Sequence, residues 1–272
     1  MSRQAIPLIV EPEQLEAMAS REALLVVDLS KPETYRALHV PGAVHLDFPR
    51  LIDTGDAAKG LLPDDASLSR LFSDLGLRAD LHVVAYDDEG GGRASRLLWT
   101  LDVIGHGHFS LLNGGLHAWA NEGHRVSRDP VCATPEDYQV RAGAGPVAEY
   151  DYIRGHLDDP DVRLLDARSP GEFAGTDVRA ARGGHIPGAV NFEWTRAMDT
   201  HRNLRLRPAD ELRRELETLG ITPDREVITY CQTHHRSAHT YIVLRSLGYP
   251  RVKGYPGSWS DWGNRPEAPV ER

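Results

Sequence analysis

The chain has 272 residues, room for two domains of about 100 to 200 residues each, and its 40% hydrophobic and 26% charged residues, without a low-complexity tract, describe an ordinary globular protein. Lys and Arg total 31 against 40 Asp and Glu, and the net charge of -9 argues against nucleic acid or an anionic membrane as a partner. No apolar h-region opens the chain, no later stretch approaches a membrane span, and two cysteines, Cys132 and Cys231, make no disulfide framework, so a cytoplasmic protein in a reducing compartment is expected.

In chain order, the first strand signal runs from Leu24 to Asp28 and opens the stretch LLVVDLSKPETY, which ends at Tyr35. His39 begins H-V-P-G-A-V, where Pro-Gly predicts a turn and the histidine is expected to hydrogen-bond backbone. Val83 to Tyr86 reads as a compact strand that closes on Asp87. Gly90, Gly91 and Gly92 follow; they resemble a phosphate cradle but lack the Gly-Lys-Ser/Thr ending of a nucleotide loop. From Asp129 to Val147, Pro130, Pro135, Pro146, Gly143 and Gly145 replace apolar periodicity and predict a linker, in which Cys132 has no catalytic role.

The same signatures then recur. RLLDARSPGEF, from Arg163 to Phe173, answers the Leu24–Tyr35 stretch and sets Asp166 opposite Asp28; both aspartates are expected to fix loop geometry. After an insertion from Ala174 to Gly184, His185 opens H-I-P-G-A-V. Leu212, Leu216 and Leu219 make Asp210 to Leu219 an amphipathic helix. TLGITPDREVITYC, ending at Cys231, parallels DLGLRADLHVVAYD, ending at Asp87, so aspartate holds the cysteine position in the first half. Gly257 with Trp262 matches Gly114 with Trp119, and Trp119, Trp259 and Trp262 are expected to pack. The pattern predicts an α/β fold: two tandem domains, 1–128 and 148–272, joined by a 129–147 linker, each a mainly parallel sheet with helices on both faces.

Between strand-like Glu226 to Tyr230 and helix-like Ser237 to Leu247 stands the loop Cys231, Gln232, Thr233, His234, His235, Arg236. Such a loop turns N–H groups inward, and the helix start adds partial positive charge. Arg236 stays charged, and either histidine adds charge when protonated, so Cys231 should ionise below its reference pKa of about 8.5 and serve as a nucleophile. A lone cysteine is by default an inert buried residue. The strand, loop, helix and terminal arginine together decide for catalysis.

On these residues the chain resembles the tandem-domain rhodaneses, the thiosulfate sulfurtransferases, over almost its whole length. The loop C-Q-T-H-H-R is similar to that of bacterial two-domain members in particular. The resemblance implies an inactive N-terminal domain with Asp87 at the cysteine position, and a catalytic C-terminal domain with Cys231 as nucleophile. Gln232, Thr233, His234, His235 and Arg236 would bind substrate, and Trp194 would lie near the site. It further implies a double displacement. Cys231 takes the sulfane sulfur of thiosulfate, sulfite leaves, and cyanide or a thiol removes the sulfur from the persulfide. No cofactor or metal is implied. The partners are a small-molecule sulfur donor and acceptor, with a protein acceptor as a further possibility. Two departures stand out: Glu172 occupies the place where animal-type enzymes carry a substrate-binding arginine, and Thr233 stands where many carry a basic residue. The anion-binding burden would then fall on Arg236, the loop amides and the histidines.

Three other readings compete. A cysteine phosphatase also sets a thiolate under amides with an arginine clamp, but its signature has one residue more between Cys and Arg than the four here, Gln232 to His235. A metal site could draw on Cys231, His234, His235 and His239, although Arg236 would add unhelpful charge. A sulfur carrier that delivers persulfide sulfur to partner proteins, in iron-sulfur or selenium metabolism, shares the first half-reaction.

Overall fold

Alternating apolar strands and amphipathic helices require a sheet whose hydrophobic faces are covered by helices, and that is what forms twice. The computed structural model describes residues 6–19, 22–53, 55, 58–141 and 145–272. By contacts the chain divides into two units, one of Met1–Leu51, Pro63–Gly143 and Asp199–Leu206, the other of Ile52–Leu62, Ala144–Met198 and Arg207–Arg272. Neither is a continuous stretch, because a short segment of each half makes its bonds in the other unit. An antiparallel bridge pairs Asp53 with Leu61 in the second unit, where the Lys59 carbonyl accepts from the Ser260 hydroxyl at 2.7 Å. In the first unit Leu206 N–H donates to Asn113 Oδ1 at 2.7 Å, and Arg205 pairs with Glu11 and Glu122.

The first unit's sheet has five parallel strands in the order Ile9–Val10, Phe109–Leu112, His82–Tyr86, Leu24–Asp28 and Val44–His45. The second has four, in the order Val252–Gly254, Glu226–Tyr230, Val162–Asp166 and Val190–Asn191, also parallel. The register repeats: Tyr86 lies beside Asp28, and Tyr230 beside Asp166. Each tyrosine hydroxyl accepts from the turn after the repeated histidine, Tyr86 from Val40 N–H at 2.9 Å and Tyr230 from Ile186 N–H at 3.2 Å. The histidines are structural. His39 Nδ1 lies 2.7 Å from the Tyr35 carbonyl and its ring stacks on Tyr35, while His185 Nδ1 lies 3.0 Å from the Phe173 carbonyl and its ring stacks on Phe173.

In the second unit the core gathers Leu164, Ile228, Tyr230, Tyr255, Trp259 and Trp262, all buried, and in the first Val84, Tyr86, Leu116 and Trp119. Helix Ala209–Thr218 buries Leu212 and Leu216 and leaves its charged face to solvent, whereas Arg236–Ser246 is buried from Ser237 to Leu244. A helix covered on all sides follows Cys231, which fixes the loop at both ends. Among the described residues no helix is long and apolar enough to cross a membrane.

Candidate active site

Cys231 follows the last residue of a strand inside the second sheet, beyond the carboxyl ends where open α/β sheets place their ligands. Its backbone cannot join a further ladder, so the loop's polar groups need other partners. The Gly-Ser-Trp-Ser segment supplies them. The carbonyls of Cys231 and Gln232 accept from Trp259 and Ser260 N–H, each at 3.0 Å. Ser258 Oγ accepts from Cys231 N–H at 3.2 Å and His234 N–H at 3.1 Å, and donates to the Tyr255 carbonyl at 2.7 Å. His234 and Ser258 both sit at positive φ, 51° and 49°, a strain held by this shared bond. In Ser258→Ala two buried N–H groups lose their acceptor. The expected loss is about 2 kcal/mol of stability, read from urea unfolding, with slower alkylation of Cys231.

With the outward carbonyls tied back, the loop turns donors toward the sulfur. Cys231 is fully buried. Burial alone would push its thiol up, but the Arg236 charge, the Ser237 hydroxyl and N–H, and the Thr233 N–H together bring it below the ordinary value. The Ser237 hydroxyl also lies 2.8 Å from Nδ1 of the buried His234. Gln232 Nε2 donates to the Arg179 carbonyl at 3.1 Å. The half-buried Trp194 stands edge-on to His239, ring centroids 5.5 Å apart, and 6.2 Å from His235.

Arg236 is paired with a carboxylate. Both terminal nitrogens are held by Glu172, at 2.6 and 2.8 Å, and the Glu172 side chain is 1% exposed. Burial opposes the Glu172 charge, but Arg236 lowers the carboxyl from 4.5 to about 2. Burial likewise opposes the arginine's charge, and Glu172 with Cys231 raises its pKa. The sequence marks Glu172 as a departure without revealing its partner. Ser169 and Glu172 also form a capping box.

Three further contributors to the site escaped the sequence reading. Ser237 read only as the start of the following helix, and Ser258 only as part of the closing Gly-Ser-Trp-Ser-Asp-Trp segment, 27 residues beyond Cys231. Gly60, at φ +89°, packs on Thr233 so closely that an added Cβ would meet the Thr233 carbonyl oxygen at 2.4 Å. Gly60→Ala should therefore displace the loop and cost about 1–3 kcal/mol, with a matching fall in Cys231 reactivity. Asp166 holds Arg168 in a buried pair, Arg168 Nη2 to Oδ2 at 2.6 Å, and the guanidinium lies 4.4 Å from the Trp259 ring centroid. That pair braces the segment leading to Glu172.

In the first unit Asp87 occupies the equivalent cradle with its own carboxylate. Oδ1 accepts from Glu89 and Gly91 N–H at 3.0 and 2.8 Å, and Oδ2 from Ala94 N–H at 2.9 Å. Burial and the Glu89 charge push this carboxyl up against those donors. Among the described residues the acidic and histidine side chains whose ligand atoms converge are Glu13, Glu122 and His124, in the first unit; Cys231, His234, His235 and His239 make no such group.

Residues 11–122 and 149–265 match the family described as the rhodanese-like domain. The chain is 48% identical to the thiosulfate sulfurtransferase of Pseudomonas aeruginosa over 98% of its own length and 97% of that protein. It is equally 48% identical to the thiosulfate sulfurtransferase of Azotobacter vinelandii, over 98% of both. The sulfur carrier protein TtuD of Thermus thermophilus is 33% identical over 88% of this chain and 87% of its own. Among solved structures, the anaerobic ergothioneine biosynthesis enzyme of Chlorobium limicola superposes with a TM-score of 0.87 at 24% identity, covering 97% of this chain and 70% of that one, a likeness of fold.

Proposed function

This chain belongs to the rhodanese-like family, carrying its domain twice, and from that premise we propose that it is a thiosulfate sulfurtransferase working through a persulfide on Cys231. The observation that carries the reading is a buried cysteine whose thiol is lowered by an arginine and three loop donors. The Cys231 thiolate attacks the outer sulfur of thiosulfate, the sulfur–sulfur bond breaks, and sulfite leaves with the bonding pair. The persulfide that remains is itself an anion, and the N–H groups of Thr233 and Ser237 that favour the thiolate favour it too. Cyanide or a thiol then takes the terminal sulfur, and the thiolate returns.

Within this reading the C-Q-T-H-H-R loop is of the bacterial two-domain type, with Gln232, Thr233, His234, His235 and Arg236 shaping the substrate site. Residues 1–128 and 148–272 form the repeats about a 129–147 linker. The first repeat is catalytically inactive, because Asp87 fills its own cradle with a carboxylate and offers no thiol. Cys231 is unpaired, as a working thiol requires, and a reducing compartment, the cytoplasm, is the location that fits this reading.

The likeness to TtuD favours a second reading, delivery of the persulfide sulfur to a partner protein. Intact mass before and after thiosulfate, then after cyanide, tests the first: a gain of one sulfur, about 32 daltons, removed by cyanide, is the expected course. Failure to gain sulfur would overturn the thiosulfate reading, and transfer to a protein acceptor far faster than to cyanide would move the assignment to the carrier.

A further inference from the structure

The cation that acts on the Cys231 sulfur is itself opposed by a carboxylate. Arg236 ends the loop as a cation, but its two terminal nitrogens face the carboxylate oxygens of Glu172, at 2.6 and 2.8 Å. Glu172 has no freedom to swing aside. Its carboxylate also accepts from Ser169 N–H and Oγ, at 3.2 and 3.1 Å, and the residue is buried in the first turn of a helix. Two further arginines near Glu172 are paired as well: Arg179 lies 3.7 Å from Glu172 but bonds Asp177 at 2.9 Å, and Arg168 bonds Asp166. An incoming anion therefore meets a dipole at Arg236 and a thiolate beside it, instead of an unopposed positive charge.

Resting on the sulfurtransferase reading, we propose that Glu172 is a specificity-determining residue: by holding the Arg236 guanidinium it weakens the site's preference for dianionic sulfur donors relative to donors of lower charge. The physical content is a difference of affinities, set by a repulsive element placed beside an attractive one. Thiosulfate carries two negative charges and benzenethiosulfonate one, and both surrender the same kind of outer sulfur, with sulfite or benzenesulfinate as leaving group. Their ratio of kcat/KM isolates charge from chemistry.

The test compares the wild type with Glu172→Gln, which keeps the shape and an acceptor for the Ser169 cap, and with Glu172→Asp, which keeps the charge on a shorter arm. In Glu172→Gln the thiosulfate to benzenethiosulfonate ratio should rise about tenfold, mainly through a lower KM for thiosulfate. Glu172→Asp should fall between, and it carries the comparison should the glutamine protein not fold. An independent measure uses alkylation of Cys231, followed on its own peptide so that Cys132 does not interfere: the iodoacetate to iodoacetamide rate ratio should rise likewise. A purely structural role would slow all four reagents alike and leave both ratios unchanged. Ratios within twofold of wild type in folded variants would overturn the proposal. Should wild type take no sulfur from either donor, the sulfurtransferase reading falls, while the alkylation ratio still decides what Glu172 does.

Discussion

A Cys231→Ser protein is expected to gain no sulfur from thiosulfate and to turn over at least about 10⁴-fold more slowly than wild type. A serine hydroxyl is not ionised near neutral pH, so the donors that lower the thiol have no thiolate to stabilise, and oxygen cannot hold a persulfide. The cradle itself should survive, since Ser258 and the Trp259 and Ser260 N–H groups bind the loop backbone and not the sulfur. Intact mass, thiocyanate formation and thermal unfolding, measured on the same preparation, separate the two effects. Retained turnover in this variant would end the mechanism. In wild type the lowered thiol also sets a direction for pH: reactivity toward neutral iodoacetamide should rise through a midpoint below that of a free cysteine and stay flat above it.

Arg236→Ala should produce the second large effect, and on stability as well as on rate. Removing the guanidinium leaves Glu172 a buried carboxylate without its partner, a loss of about 3 kcal/mol; the arginine side chain is itself 19% exposed, so some relief from water is already present. The thiol also loses its charged neighbour, so its midpoint moves up and the rate at neutral pH falls. Acid unfolding gives the signature. Glu172 titrates at about 2 in the folded protein against 4.5 ordinarily, so its contribution is full above 4.5 and is lost as pH falls through 2. Stability of the wild type should drop by about 3 kcal/mol more across that window than stability of Arg236→Ala. Equal acid profiles would show that the pair contributes nothing. Part of the activity should persist, because the Thr233 and Ser237 donors do not depend on Arg236.

The repeat was legible because its signals are local. Turn residues in H-V-P-G-A-V and H-I-P-G-A-V, and apolar runs ending at Asp87 and Cys231, depend on neighbours a few positions away. The same holds for the loop, where a strand end, five residues and a buried helix lie in one continuous stretch. Glu172 was visible as a departure, but its pairing with Arg236 was not: with only the sequence, Arg236 has no carboxylate beside it. Nothing nearby in the chain pointed to a partner 64 residues on.

What the sequence determined by itself was therefore the repeated α/β fold, with a cysteine at position 231 and an aspartate at the matching position 87, since periodicity, turn chemistry and residue identity carry these without any long-range contact. Tertiary structure alone decided which groups surround the sulfur. Ser258 at positive φ, Gly60 against Thr233, and the clamp on Arg236 all join segments far apart in the chain, and only packing brings such groups within hydrogen-bond reach. Charge behaves the same way: an arginine's sign is written in the sequence, but how much of its field reaches a substrate depends on which carboxylate the fold places beside it.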